Sequence, residues 1–293
     1  MGGAICRSNR SYSLGKVLNL CANDPAFPKR TFSPSHANLQ HMTTKSNIEW
    51  TEFTWNPATG CTKISPGCKH CYAEVMAERL QAMNAPGYEN GFKLQLHPDR
   101  LTQPLKRKKP TTYFVNSMSD LFHEDIPFEY LDQVFDIIRQ TSHHTYQILT
   151  KRPERAEEYF HQRKVPANAW LGVSVEDRKY GLPRIDILRR IDAATRFLSV
   201  EPLLEDLGMF DLTGIHWVIV GGESGPKARP MKPEWVEGIA NQCAVAGTAF
   251  FFKQWGAWGA DGVKRSKAAN GRELQGKTWD GVPAAAQLRL ALT

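Results

Sequence analysis

Ile48-Glu49-Trp50-Thr51-Glu52-Phe53-Thr54-Trp55, then the loop Cys61-Thr62-Lys63-Ile64-Ser65-Pro66-Gly67-Cys68-Lys69-His70-Cys71, then a helical repeat from Tyr72 to Met83 make one strand–loop–helix unit. The first stretch is rich in aromatic and β-branched residues, as a strand requires. In the last, Tyr72, Met76, Leu80 and Met83 recur at helical spacing until Pro86-Gly87 stops the pattern. Between them, Cys61-x6-Cys68-x2-Cys71 gathers three thiols within eleven residues. Three thiolates are one ligand short of a closed zinc site, whereas an iron–sulfur cluster with one unligated iron can bind a substrate. The unit points to a fold and to a metal.

Outward from that unit the same alternation continues. Strands are expected at Ile48–Trp55, Thr112–Asn116, Tyr146–Thr150, Trp170–Val175, Arg196–Val200, Trp217–Val220 and Ala249–Lys253. Helices are expected at Tyr72–Met83, Phe128–Gln140, Pro183–Ile191 and Pro233–Ala246, the last two opening on a proline suited to a first helical turn. Strands alternating with helices argue for a parallel sheet, either a barrel or an open doubly wound sheet. Residues 85–110, rich in Gly, Pro and Asn and carrying Lys106-Arg107-Lys108-Lys109, read as an insertion or long loop. A charge run of that kind is most simply a solvated face.

The first 41 residues read differently from the rest. They carry five basic residues and one acid, a net of +4, which leaves +3 of the total +7 for residues 42–293. Lacking sustained periodicity, they are expected to be a disordered or non-native extension, with a targeting peptide as the competing reading. Residues 42–260 then form the main domain, and 261–293 a tail that packs on it or extends from it. With so little net charge in the body, the electrostatic case for a nucleic-acid partner is weak. No apolar run reaches the ~18–20 residues of a membrane span, so a soluble cytoplasmic protein is expected.

Of six cysteines, Cys6 and Cys21 lie in the N-terminal stretch. Cys243 shares a helical apolar stripe with Trp235 and Ile239 and reads as a core thiol. This is not a disulfide framework, and a reducing compartment suits it better.

In parallel α/β folds, ligands gather at the carboxyl ends of the strands. Here those ends carry Asn56, then Asn116-Ser117-Met118-Ser119-Asp120, Lys151-Arg152, Glu176-Asp177, Glu201, Gly221-Gly222-Glu223-Ser224-Gly225 and Lys253-Gln254-Trp255. A single acid at a strand end is more often a helix cap or an ion pair. Its recurrence at successive ends favours a shared site. The glycine run could bring backbone N–H groups to an anion, or be a tight turn only. Zinc would need a fourth ligand from His70, His97, His123 or Cys243, and no second Cys-x2-Cys completes a finger. Iron–sulfur is the favoured reading.

Trp50-Thr51-Glu52, Thr54-Trp55-Asn56-Pro57, Gly60-Cys61-Thr62-Lys63 and Gly67-Cys68-Lys69-His70-Cys71-Tyr72-Ala73-Glu74 together resemble the signature of a phage-associated three-cysteine-motif family of unknown function. That family is regarded as a divergent relative of the radical S-adenosylmethionine enzymes. The later runs Asn116-Ser117-Met118-Ser119-Asp120-Leu121-Phe122, Leu149-Thr150-Lys151-Arg152-Pro153, Ser199-Val200-Glu201-Pro202-Leu203 and Phe252-Lys253-Gln254-Trp255-Gly256 look like the same family. The resemblance spans about Lys45 to Trp258 and implies an α/β fold, a parallel (β/α) partial or irregular TIM-like barrel of about six to seven strands.

It also implies that Cys61, Cys68 and Cys71 ligate three irons of a 4Fe–4S cluster. S-adenosyl-L-methionine would occupy the fourth iron and be cleaved to a 5′-deoxyadenosyl radical that acts on a substrate. Radical enzymes usually space their cysteines Cys-x3-Cys-x2-Cys and place Gly-Gly-Glu after the second strand. In this chain Asn116, Ser117 and Asp120 stand at that strand end, as cofactor contacts. Lys151, Glu176, Glu201, Gly221, Gly222, Glu223, Ser224 and Lys253 would bind cofactor or substrate. An electron-donor protein and a partner protein encoded nearby are the implied associates. The alternative from another class is a zinc-stapled, phage-associated binding protein that contacts nucleic acid through Lys106–Lys109, with the steep salt dependence such contacts carry.

Overall fold

The computed structural model describes residues 44–46 and 48–284. The expectations for residues 1–41, with Cys6 and Cys21, and for the end of the C-terminal tail fall outside those residues. In chain order the elements are β1 (Thr44–Lys45), β2 (Phe53–Trp55), β3 (Ala58–Thr59), α1 (Tyr72–Ala82), β4 (Gln95–Leu96), β5 (Thr112–Val115), α2 (Phe128–Gln140) and β6 (Thr145–Thr150). Then come α3 (Pro153–Phe160), β7 (Ala169–Ser174), α4 (Leu182–Arg190), β8 (Thr195–Val200), β9 (Trp217–Gly221), α5 (Pro233–Ala246), β10 (Ala249–Gln254) and α6 (Lys267–Asn270).

The main sheet runs β1-β2-β5-β6-β7-β8-β9-β10. Strand β1 pairs antiparallel with β2, and every later neighbour pair is parallel. The seven parallel strands curl into a half-barrel flanked by helices, the partial barrel expected from the sequence. Spatial order follows chain order, and right-handed crossovers place α2, α3, α4 and α5 on the same outer face, whereas α1 packs in a separate small cluster with Met118. The floor of the concave face is left to inward-facing side chains.

Strand alternation divides the residues between those two faces. Outward-facing Tyr113, Val115, Ile148, Val173, Leu198, Val220 and Phe252 share one apolar cluster with Leu131, Phe135, Leu188 and Ile239 from the helices. Cys243 lies in that cluster, fully buried, and burial pushes its thiol up to about 12. Inward-facing Trp50, Phe114, Trp170, Phe197, Trp217, Ile219 and Phe251 form a second cluster that plugs the concave face. The Trp217 ring meets those of Trp50, Trp170 and Phe251 edge-on, with centroids 6.0, 6.2 and 6.1 Å away. Gly172 pairs in register with Phe197, and a Cβ there would come within 2.5 Å of the Phe197 ring. A side chain at 172 would displace part of the plug.

Three details depart from the sequence reading. The expected strand Ile48–Trp55 shortens to Phe53–Trp55, because Ile48–Trp50 turn inward, with Thr51 N donating to Ile48 O at 3.3 Å. That turn places the Trp50 ring on the barrel floor, where its carbonyl accepts from Gln147 Nε2 at 3.3 Å. Helix α3 was not anticipated, since only Ala156, Tyr159 and Phe160 follow Pro153 as buried apolar positions in its eight residues. Residues 85–110 contain β4, which pairs with β3 just before the cysteine loop. His97 Nε2 lies 2.8 Å from Thr59 Oγ1, and Trp55 Nε1 donates to Arg100 O at 2.9 Å. The segment is a brace beneath the cysteine loop. At the far edge, Phe252 N donates to Trp279 O and Gly281 N to Phe250 O, at 2.9 and 3.0 Å, which covers the open side of β10.

His97 gives this brace an acid sensitivity. Burial, with the Arg100 charge adding to it, pushes the imidazole from 6.5 down to about 4. The folded chain keeps it neutral where the unfolded chain protonates it, so its contribution is complete above pH 6.5 and is lost as pH falls through about 4. The loss is on the order of 3 kcal/mol. Melting temperature followed from pH 7 to pH 4 is expected to fall more steeply for the native chain than for His97→Gln, and parallel curves would contradict it.

Candidate functional site

Above the aromatic plug, at the carboxyl ends of the strands, the half-barrel holds a cavity of about 470 Å³. All three clustered cysteines line it, together with Asn116, Ser117, Asp120, Lys151, Glu201, Gly222, Glu223, Ser224 and Lys253. Trp50, Phe114 and Leu149 supply apolar lining at the plug. Of the residues nominated from sequence, Glu176 and Gly221 stand behind the lining, Glu176 fully buried.

The cysteine loop has few apolar anchors and is held by charged side chains from three strand ends. Arg152, just after β6, donates from Nη2 to Thr62 Oγ1 at 2.7 Å and to Thr62 O at 3.2 Å. Its Nη1 lies 3.5 Å from Cys61 Sγ and 3.3 Å from Asp120 Oδ2. Just past β7, Glu176 accepts from Ser65 Oγ and, at 2.6 Å, from Arg184 Nη1. Gly67 lies so close to the Glu176 carboxylate that a Cβ would meet it at 2.8 Å. Beyond β9, Glu223 accepts from Arg229 Nη2 at 2.6 Å, Nε at 2.9 Å and backbone N at 2.8 Å. Arg229 Nη2 also donates to Pro66 O at 3.1 Å, and His70 Nδ1 lies 3.2 Å from Glu223 Oε2.

Burial by itself would raise the Glu176 and Glu223 carboxyls, yet both are held below the usual range. The Lys151 and Arg184 charges outweigh it at Glu176, and the Arg229 hydrogen bonds do so at Glu223. Asp120 also has several hydrogen-bond donors around it. It accepts from Thr150 Oγ1 at 2.7 Å, Lys151 N at 2.9 Å and Phe122 N at 3.0 Å, which ties the ends of β5 and β6 together.

Other strand ends keep groups open to the cavity. Glu201 beyond β8 and Lys253 on β10 form an ion pair at 3.0 Å across β9, where Gly221 offers no side chain to block it. Ser199 Oγ donates to Glu201 Oε2 at 3.2 Å. The Lys151 ammonium makes no direct ion pair among the described residues, although its charge acts on the Glu176 carboxylate. Asn116 holds a left-handed φ of 56°, and its Oδ1 accepts from Ala58 N at 3.4 Å. Its buried Nδ2 has no partner among the described residues.

Among the described residues, no three Cys, His, Asp or Glu side chains converge on a position for a single metal ion. A tetrahedral zinc site brings its sulfurs within ~2.3 Å of one centre, whereas a cluster spreads three thiolates over three irons. Three thiols around one cavity supply the donor set that such a cluster would take. Of the other zinc ligands considered from sequence, His97 is engaged with Thr59, His123 Nε2 lies 3.0 Å from Thr62 Oγ1 and Cys243 sits in the helix-side core, whereas His70 lines the cavity beside the cysteines with its Nδ1 3.2 Å from Glu223 Oε2. Burial and the Asp120 charge push the Cys61 thiol up to about 11 against the pull of Arg152. Metal binding there must therefore release a proton.

A family model described as a protein of unknown function, DUF5131, matches residues 45–283. The chain belongs to that family. No curated protein matches it. Among solved structures, a spore photoproduct lyase mutant with bound AdoMet and dinucleoside spore photoproduct is 15% identical, covering 63% of this chain and 59% of its own, with a TM-score of 0.44. Another, spore photoproduct lyase complexed with dinucleoside spore photoproduct, is 14% identical, covering 70% of this chain and 64% of its own, with a TM-score of 0.44. The chain spans less than two thirds of either protein's length, and a likeness of that degree carries no statement about its chemistry.

In this DUF5131 chain the sequence reading nominated the strand-end acids and not the arginines that hold them. A signal was present: Arg184 follows Glu176 by eight residues and Arg229 follows Glu223 by six. Ser174 and Ser199, both buried against the cavity, were also passed over. The basic run Lys106–Lys109 precedes β5 and so lies toward the amino end of the sheet, away from the cysteine loop. Arg107 stacks on Phe53 at 4.1 Å and donates to Thr111 Oγ1 at 2.6 Å, so that run is partly structural.

Breaking the Glu176 pair from one side should be costly, because both partners are almost wholly buried. Arg184→Met is expected to lower the unfolding free energy by ~3–5 kcal/mol, and adding Glu176→Gln to restore most of it. Urea denaturation of the three proteins checks this, and an R184M variant as stable as the native chain would contradict it.

Proposed function

We propose that this protein is an iron–sulfur enzyme of the radical S-adenosylmethionine type. Cys61, Cys68 and Cys71 would hold three irons of a 4Fe–4S cluster, leaving the fourth for S-adenosylmethionine. The supporting observation is that three thiols line one cavity at the carboxyl ends of a parallel half-barrel. The chemistry supplied by such a pair is reductive cleavage of the sulfonium bond, giving a 5′-deoxyadenosyl radical that takes hydrogen from a substrate.

The chain's own residues do the holding and shielding. Arg152, Glu176 and Glu223 fix the cysteine loop before any ligand arrives. The Trp50, Phe114 and Leu149 side chains keep water from the cavity floor. Asn116 offers an unpartnered N–H donor and Lys151 a cavity-lining ammonium, suited to a carboxylate or ribose oxygen. Glu201 and Lys253 present a fixed acceptor and donor in the cavity wall. An electron-donor protein in a reducing compartment completes the proposal.

Anaerobic reconstitution with iron and sulfide tests it. The native chain and Cys243→Ala are expected to take up four irons per chain, the number the cluster defines. Cys61→Ala, Cys68→Ala and Cys71→Ala are expected to lose the bound cluster. On reduction, the loaded native protein is expected to convert S-adenosylmethionine to methionine and 5′-deoxyadenosine. Colourless protein holding one zinc, or C68A with full iron, would overturn the proposal.

A further inference from the structure

Arg152 is the only charged side chain among the described residues that hydrogen-bonds a cluster-loop sulfur. Its side chain is 9% exposed, and each guanidinium nitrogen has a partner. Nε donates to Glu124 Oε2 at 2.7 Å, Nη1 faces Cys61 Sγ at 3.5 Å and Asp120 at 3.3 Å, and Nη2 reaches Thr62. Cys68 has only the Ser65 hydroxyl, 3.7 Å from its sulfur. The three sulfurs are therefore unlike one another, and the difference is a buried cation at Cys61.

We infer that Arg152 is a positioning residue that orients Cys61 for ligation and favours the reduced state of the bound cluster. The inference rests on the iron–sulfur reading above. Reduction adds a negative charge to the cluster, and a fixed cation hydrogen-bonded to one of its sulfurs stabilises that charge. Hydrogen bonds to sulfur and local net charge are two of the factors that set cluster potentials. Exclusion of water strengthens the effect, since charges interact more strongly where the dielectric is low. Asp120 and Glu124 keep the cation in place and partly neutralise it. A planar fork can address Cys61, Thr62 and two carboxylates together, which a lysine ammonium cannot.

The test is redox titration of anaerobically reconstituted native protein, Arg152→Lys, Arg152→Met and Glu124→Gln, with iron counted in each. Glu124 is 55% exposed, and its glutamine replacement keeps the shape while removing one negative charge beside Arg152. The midpoint potential is expected to move positive in E124Q and negative in R152M, with R152K between R152M and the native protein. A merely structural role for Arg152 would alter iron content and leave the potential of loaded protein unmoved. If R152M fails to hold iron, E124Q and R152K decide the matter. Native-like potentials in both, each with full iron, overturn this inference alone. A native protein that takes up no iron and sulfide overturns the iron–sulfur reading and this inference with it.

Discussion

Seven parallel strands in chain order, with α2, α3, α4 and α5 packed on the outer side, leave the floor of the concave face to inward-facing side chains. Every feature of the interior follows from that constraint. At the amino ends of the strands the face is filled by interlocking aromatic rings, for which Gly172 makes room. At the carboxyl ends the side chains stop meeting, and a cavity remains. The plug and the cavity are successive layers of the same inward-facing positions, so the aromatic layer determines how deep the cavity can be.

The cavity's upper wall is a loop with almost nothing apolar to bury. Its residues are Thr, Lys, Ser, Pro, Gly and His between the cysteines, and its one larger apolar residue, Ile64, is exposed. Hydrophobic packing cannot order such a segment, so polar tethers do. Glu176 and Glu223 are buried acids that would be unfavourable alone; Lys151 and Arg184 keep the first ionised and Arg229 the second. Each acid then holds a different part of the loop, Ser65 and Gly67 for one, His70 and, through Arg229, Pro66 for the other. Arg152 fixes the remaining end at Thr62.

How much of this the sequence disclosed depended on the range of the interaction. Helices α2 and α5 were legible to the residue, because each follows or opens on a proline and carries a strong apolar stripe, and Gly247 ends α5 in a left-handed turn. The strands were legible within about a residue at most ends, since an apolar run between turn formers is local information. The short pair β3–β4 was not, because two-residue strands hold no periodicity and form only where His97 and Trp55 pin them. The strand-end acids could be located but their partners could not. Glu176 and Glu223 looked available for a ligand, and the structure shows both occupied by arginines from the following loop or helix. Pairing of that kind depends on how the crossover packs, which no local pattern records.

The same contrast separates two regions of the cavity. Around the cysteine loop the carboxylates are held by protein donors, and three of them serve to anchor chain segments. Between β8 and β10 the Glu201–Lys253 pair anchors no loop, and lies in the cavity wall with 15% and 18% of its side chains exposed. Its geometry requires Gly221, since a Cβ at that position on β9 would collide with the Glu201 carboxylate. Under the proposed function, ligation thus falls to the loop and its clamps, while recognition of whatever lies deeper falls to the pair over Gly221. The glycine run is then explained without an anion: Gly221 admits the ion pair, and Gly222 packs against the Trp255 carbonyl. Glycine at a strand end can serve close packing as readily as ligand approach, and here the neighbouring atoms favour packing.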